Sequence, residues 1–157
     1  MQKNKELITQ FYTAFRQGDF ATMQKSYHDE AHFNDPAFQN LNASEVRAMW
    51  QMLVTAAKDL HITFSDVVAD DTKGSCKWEA KYTFSKTGRS VHNIIVANFE
   101  FKDGKFLKHN DHFSFWRWSR QALGISGLLL GWSNMLQKKV QTTARKGLEM
   151  FMKRYSK

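Results

Sequence analysis

Two side chains near position 110 could move a proton. His109 and Asp111 stand two residues apart, and in an extended chain that spacing places both on one face. An imidazole beside a carboxylate can shuttle a proton near neutral pH. The same pair can equally be a buried ion pair satisfied in itself. Asp35 precedes Pro36, the one proline of the chain. Held in an apolar pocket, its carboxyl would have a raised pKa suited to taking a proton beside a carbonyl. It can also serve as a turn residue that bonds nearby backbone. His92 and His112 do not extend these groups into a metal centre, because strand parity sends His112 to the face opposite His109 and Asp111 and leaves His92 off the inner set. Ser75 and Ser114 lack a nucleophile motif, no Gly-rich phosphate loop is present, and Cys76 reads as a core thiol. No metal and no cofactor are expected.

The elements that must position these groups are legible as periods. Leu7, Ile8, Phe11, Tyr12 and Phe15 recur at helical spacing, with Gly18 as a stop and Asp19 as the cap of a second short helix. Residues 28–35 read as a short strand. A third helix starts at Ser44, without a full capping box, and carries Val46, Met49, Trp50 and Leu53. Strands follow over 61–69, 76–84, 91–101 and 105–116, the last two joined by Asp103-Gly104, a strong hairpin signal. Helices first and an antiparallel meander afterwards indicate an α+β fold. Strand parity gives a pocket wall of Trp78, Ala80, Tyr82 and Phe84, with Asn93, Ile95, Ala97 and Phe99 on the next strand. On the last strand it puts Leu107, His109, Asp111, Phe113 and Phe115 on one face. Phe33 shares the face of Asp35. The expected pocket lining is Phe11, Phe15, Phe33, Trp50, Trp78, Tyr82, Asn93 and Phe113.

The 157 residues suit one domain with a real core, and aromatic residues make up 14% of them, enough to fill a core and line an apolar pocket. A single cysteine excludes an intrachain disulfide. No signal peptide and no membrane span is read, so a cytoplasmic location is expected. Of the net charge of +8, residues 1–118 hold 15 basic against 14 acidic groups, or +1, and residues 119–157 hold 8 against Glu149 alone, or +7. A near-neutral body argues against nucleic-acid binding. In the extension, Gly124, Gly127 and Gly131 suggest a loop or short broken helix that could lid the pocket. From Ser133 a basic amphipathic helix carries Met135, Leu136, Val140, Ala144, Leu148, Phe151 and Tyr155. It could dock on the sheet, lie on an anionic membrane surface with Trp132, Leu136 and Phe151 dipping in, or meet an acidic partner.

Phe11-Tyr12-x-x-Phe15-x-x-Gly18-Asp19, Tyr27-His28-Asp29-Glu30-Ala31, Asn34-Asp35-Pro36 and Phe99-Glu100-Phe101-Lys102-Asp103-Gly104-Lys105 occur in that order. This arrangement resembles the nuclear transport factor 2-like superfamily, with its SnoaL-like polyketide cyclases, ketosteroid isomerases and limonene epoxide hydrolases. The resemblance covers residues 3–118. It implies a cone-shaped curved antiparallel sheet wrapped around the N-terminal helices, and homodimers in many members. It divides the chain into a SnoaL-like domain, 1–118, and a basic helical extension, 119–157. It equates Asp35 with the isomerases' general base, but their oxyanion partners fall on Phe11 and Ala97. It equates Asp111 with the last-strand acid of the cyclases, while the hydrolases' Arg-x-Asp is missing near Trp78 to Lys81. Exposed Ile94 and Val96 would form a dimer contact or be covered by the C-terminal helix. Two functions are therefore expected side by side. One is an acid/base enzyme on a small apolar oxygenated substrate, using Asp111, His109 and Asp35. The other is a non-catalytic ligand-binding module, peripheral to a membrane or a protein partner through its tail.

Overall fold

A computed structural model describes residues 1–155, so the last two residues of the 119–157 extension lie outside the described residues. Helix α1 (Gln2–Gln17) turns Ile8, Phe11, Tyr12 and Phe15 inward and stops at Gly18, whose φ of 73° is left-handed. Asp19 accepts from the Thr22 N–H at 3.1 Å and opens α2 (Phe20–Lys25). Strand β1 (Tyr27–Asn34) leads to α3 (Ala43–Ala56). The start of α3 differs from the sequence reading. Its cap is Asn42 rather than Ser44, and Asn42 with Glu45 makes a complete capping box.

Strands β2 (His61–Ala69), β3 (Lys73–Phe84), β4 (Arg89–Lys102) and β5 (Lys105–His112) form the antiparallel meander. The sheet runs β1-β5-β4-β3-β2, and β1 joins β5 in parallel, so the sheet is mixed at that edge. Asp103 and Gly104 both take positive φ, 52° and 72°, at the β4–β5 turn. Such a turn matches the twist of the strands it joins.

Two further differences lie in β5. Phe101 pairs with Phe106 but Glu100 with Lys108, so Leu107 is an extra residue, a bulge. Phe106 therefore turns fully inward and Leu107 is only half-buried. The strand also ends at His112 instead of running to Trp116. The Ser114 hydroxyl accepts from the Arg117 N–H and caps α4 (Phe115–Leu123). Phe113 lies between the two elements, half-buried, and Phe115 is buried in the first turn of α4.

Beyond α4, the glycine-punctuated stretch is a short helix, α5 (Ile125–Leu130), followed by α6 (Asn134–Tyr155). Helix α6 packs on α3, not on the outer face of the sheet. Leu148 is its fully buried residue, Arg145 pairs with Glu45, and Gln137 and Gln141 donate to the Pro36 carbonyl. The core lies between the concave face of the sheet and α1 and α3, and much of it is aromatic: Phe11, Tyr12, Tyr27, Phe33, Trp50, Phe106.

Candidate functional site

Neighbouring strands align their inward residues in rows across the sheet. Cys76, Ala97 and Asp111 form one row, and Phe99 and His109 the next. Residues 109 and 111 thus share the concave face, as their spacing required. His109 is fully buried and Asp111 is 3% exposed.

A directional chain of hydrogen bonds ends on Asp111. The Trp50 indole N–H can only donate, and it does so to the Tyr27 hydroxyl oxygen at 2.8 Å. The Tyr27 proton then has one acceptor within reach, His109 Nδ1 at 2.7 Å. His109 accordingly holds its ring proton on Nε2, which donates to Asp111 Oδ1 at 2.9 Å. Trp78 adds a long N–H contact to the same oxygen, 3.4 Å. Asp111 Oδ2 receives no hydrogen bond from the described residues. Burial raises the Tyr27 phenol well above its ordinary pKa, so it stays a proton donor. Aromatic rings close around the imidazole. Phe33 and Phe11 present edges to it at 5.0 and 5.9 Å, and Trp50 stacks at 6.2 Å.

Asp35 sits at the C-terminal end of β1. Its Oδ1 accepts from the Ala37 and Phe38 N–H groups at 2.7 and 2.5 Å, the turn-capping role foreseen for it. Burial nevertheless pushes its carboxyl up to about 7, against the pull of the Phe38 N–H, and the charge of Asp111 adds to the rise. Asp35 thus combines a turn-capping carboxylate oxygen with a raised carboxyl. Asp35 also acts on Tyr82, whose phenol is raised chiefly by burial and in part by that carboxylate.

The expected lining residues occupy different depths. Phe11, Phe15, Phe33 and Trp50 form the packed wall behind the His109–Asp111 pair, and Trp78 lies over Asp111. Asn93 faces inward, is 8% exposed, and its side-chain amide is without a hydrogen bond among the described residues. Tyr82 and Phe113 are half-buried at the rim. There α4 crosses the end of the β3–β4 hairpin. Trp118 donates to the Tyr82 hydroxyl, and Gln121 accepts from the backbone N–H of His92. Two grooves open outside the cone. One, of about 400 Å³, lies between the loop after β1 and α6, and the other, of about 370 Å³, is bounded by Tyr82, His92 and Gln121. Neither is lined by His109 or Asp111.

Three participants escaped the sequence reading. Tyr27, the first residue of β1, orients His109. Phe106 enters through the bulge. Tyr12 has a fully buried hydroxyl whose polar neighbour among the described residues is the Cys76 thiol. Burial, and then the charge of Asp111, raises that phenol well above its ordinary range, so it remains a donor. Cys76 beside it is pushed up to about 12 by burial, an inert thiol. His92 turns outward to Glu79 at 2.8 Å and His112 is exposed, so neither joins His109. Among the described residues, no three His, Cys, Asp or Glu side chains come together as a metal site.

A cone of this topology, with a polar pair held inside an aromatic lining, defines a fold class, and the sequence agrees. Residues 8–109 match the model of the SnoaL-like domain, and the chain belongs to that family, within the nuclear transport factor 2-like superfamily. Among solved structures it is similar to TsrD from Streptomyces laurentii, with a TM-score of 0.63 and 22% identity over 78% of this chain and 96% of that one. IdmH from Streptomyces antibioticus, a candidate polyketide cyclase, gives 0.64 and 20% over 78% and 99%. An epoxide hydrolase of the LEH-like type from M. tuberculosis gives 0.63 and 14% over 86% and 96%. No protein with a curated description matches the sequence.

Proposed function

We propose that this protein binds a small, largely apolar, oxygenated molecule and performs acid/base chemistry on it, of the cyclase or isomerase kind. The observation that carries this reading is the asymmetry of Asp111. One carboxylate oxygen is pinned by His109 and the other is unpaired inside an aromatic enclosure. Oδ2 would take a proton from a carbon beside a carbonyl and return it at the neighbouring position. His109 is a positioning residue, fixed in its tautomer by Tyr27. The buried Tyr12 hydroxyl, with only the weakly accepting Cys76 sulfur beside it, would donate to the oxygen on which charge develops, and the Asn93 amide would orient the ligand nearer the rim. Asp35, able to carry a proton near neutrality, supplies a second carboxyl with a different affinity for it. Cyclase and epoxide hydrolase names among the similar structures support chemistry on oxygenated carbon skeletons. The test is a thermal-shift screen of carbonyl, epoxide and fatty-acid-like compounds, followed by turnover of any compound that stabilises the protein. Loss of turnover with retained binding in Asp111→Asn supports the assignment, and unchanged turnover refutes it.

A second reading, a ligand-binding module without catalysis, draws on the closeness of packing around His109, where every hydrogen-bonding atom of the ring is satisfied within the protein. It expects thermal shifts with no conversion of the ligand. We further propose a homodimer through the outer face of β4. Because α6 packs on α3, Val96 is left 47% exposed there. The lone buried Cys76 fits a reducing cytoplasm.

A further inference from the structure

We infer that α5 and the first turn of α6 form a preformed edge that docks on an anionic lipid surface. The argument begins with how α5 is held. A Cβ at Gly127 would lie 1.8 Å from the Ser119 carbonyl oxygen, and one at Gly131 would lie 2.2 Å from the Ser119 hydroxyl. Helices α4 and α5 therefore touch through glycine. Gly127 is the one buried residue of α5, and the larger side chains of that helix project into solvent. Ile125 is 75% exposed, and Leu128, Leu129 and Leu130 are exposed beside it. Trp132, 75% exposed, and Met135, 74% exposed, continue the patch. An ordinary packing helix spends its leucines on the core, whereas this one keeps them outside.

The edge is flanked by positive charge. Lys138 and Lys139 follow Met135 at i+3 and i+4, which places them on the same side of α6, and both are exposed. Arg120 lies over the Trp116 ring at 4.6 Å, at the α4 end of the patch. Residues 119–157 carry 8 basic groups and one acid. Apolar side chains with interfacial indoles and a lysine rim suit headgroups of negative charge. A second copy would bring two such cationic extensions together, which disfavours self-association through this edge. No described helix is long and apolar enough to cross a membrane, so the contact is peripheral. The contact surface also differs from the one the sequence suggested. Trp132 is exposed, but Leu136 and Phe151 are half-buried, and α5 supplies the leucines in their place. This inference is independent of the chemistry proposed for Asp111.

The test is co-sedimentation of the full chain with phosphatidylcholine vesicles, with and without phosphatidylglycerol as a minor component. Expected are binding that requires phosphatidylglycerol, weakens with added salt, and falls at least about tenfold in Leu129→Ser/Trp132→Ser. Lys138→Glu/Lys139→Glu should lower it by roughly the same factor. All replaced residues are exposed, so melting temperatures should not move. Equal binding by the first double variant, or no binding of the wild type at low salt, overturns the inference. So does a wild-type dimer that Leu129→Ser/Trp132→Ser converts to monomer, which would make the edge a self-association surface.

Discussion

The indole N–H of Trp118 donates to the Tyr82 hydroxyl at 2.8 Å, and this bond ties α4 to the rim of the cone. Trp118 also meets the edge of Phe84 at 5.5 Å and lies against Phe115, so one indole joins α4 to the hairpin end by both a hydrogen bond and ring packing. Tyr82→Phe removes the acceptor and should cost about 0.5–1.5 kcal/mol. If α4 gates the interior, stopped-flow ligand binding should be faster in Trp118→Ala than in the wild type. An unchanged association rate would mean that ligands enter elsewhere.

Tyr27→Phe leaves two buried groups without partners, the Trp50 N–H and His109 Nδ1. The cost should be about 2–4 kcal/mol, and the melting temperature should fall by roughly 5–15 °C. Its effect on chemistry is separable: with His109 free to change tautomer, the pH profile of turnover should shift, whereas a merely structural loss would leave the profile in place.

Asp35 makes the fold pH-sensitive in a stated direction. Its carboxyl is raised from 3.8 to about 7 in the folded protein, so the native state binds more protons than the unfolded chain between those values. Stability contributed by the protonated form is complete at low pH and is lost as pH rises toward about 7. The loss is on the order of 4 kcal/mol. Asp35→Asn keeps an oxygen for the Ala37 and Phe38 N–H groups and cannot ionise. Urea titrations at several pH values should show the variant gaining on the wild type across that window and levelling off above it.

The Asn42–Glu45 capping box is joined to the C-terminal helix by the Arg145–Glu45 ion pair. Asn42→Ala should cost about 1 kcal/mol. Glu45→Ala loses the return half of the cap and the hold on α6 together. Hydrogen exchange should then accelerate in α6 as well as in α3, and acceleration in α3 alone would show that α6 is held by Leu148 and the Pro36 contacts instead.

Gly127→Ala forces a methyl against the Ser119 carbonyl. The prediction is that α5 separates from α4, with a drop in melting temperature larger than that of Leu129→Ser.

What could be read from the sequence was local. The i, i+2 spacing of His109 and Asp111, the inner set from Asn93 to Phe99, the Asp103-Gly104 turn and the Asp19 cap rest on backbone geometry within a few residues. What escaped depended on distant partners or on rival local signals. Tyr27 reaches His109 across 82 residues through a parallel pairing that no local pattern announces. Phe113 and Phe115 continue the strand alternation, yet Ser114 between them caps a helix. The Leu107 bulge moves one residue out of phase, and parity counting cannot detect an inserted residue. Asn42-x-x-Glu45 was present as a capping signature but lay two residues before the start assigned to the helix.

The parallel seam between β1 and β5 also orders the life of the nascent chain. β1 leaves the ribosome long before the strand it needs, and at ordinary synthesis rates the interval of 82 residues lasts roughly 4–16 s. During that wait Tyr27 and Phe33 have neither their pairing strand nor His109 to cover them. A translational pause or a truncation before β5 would therefore leave a sticky half-cone, and chaperone demand should concentrate on chains stalled short of Lys105.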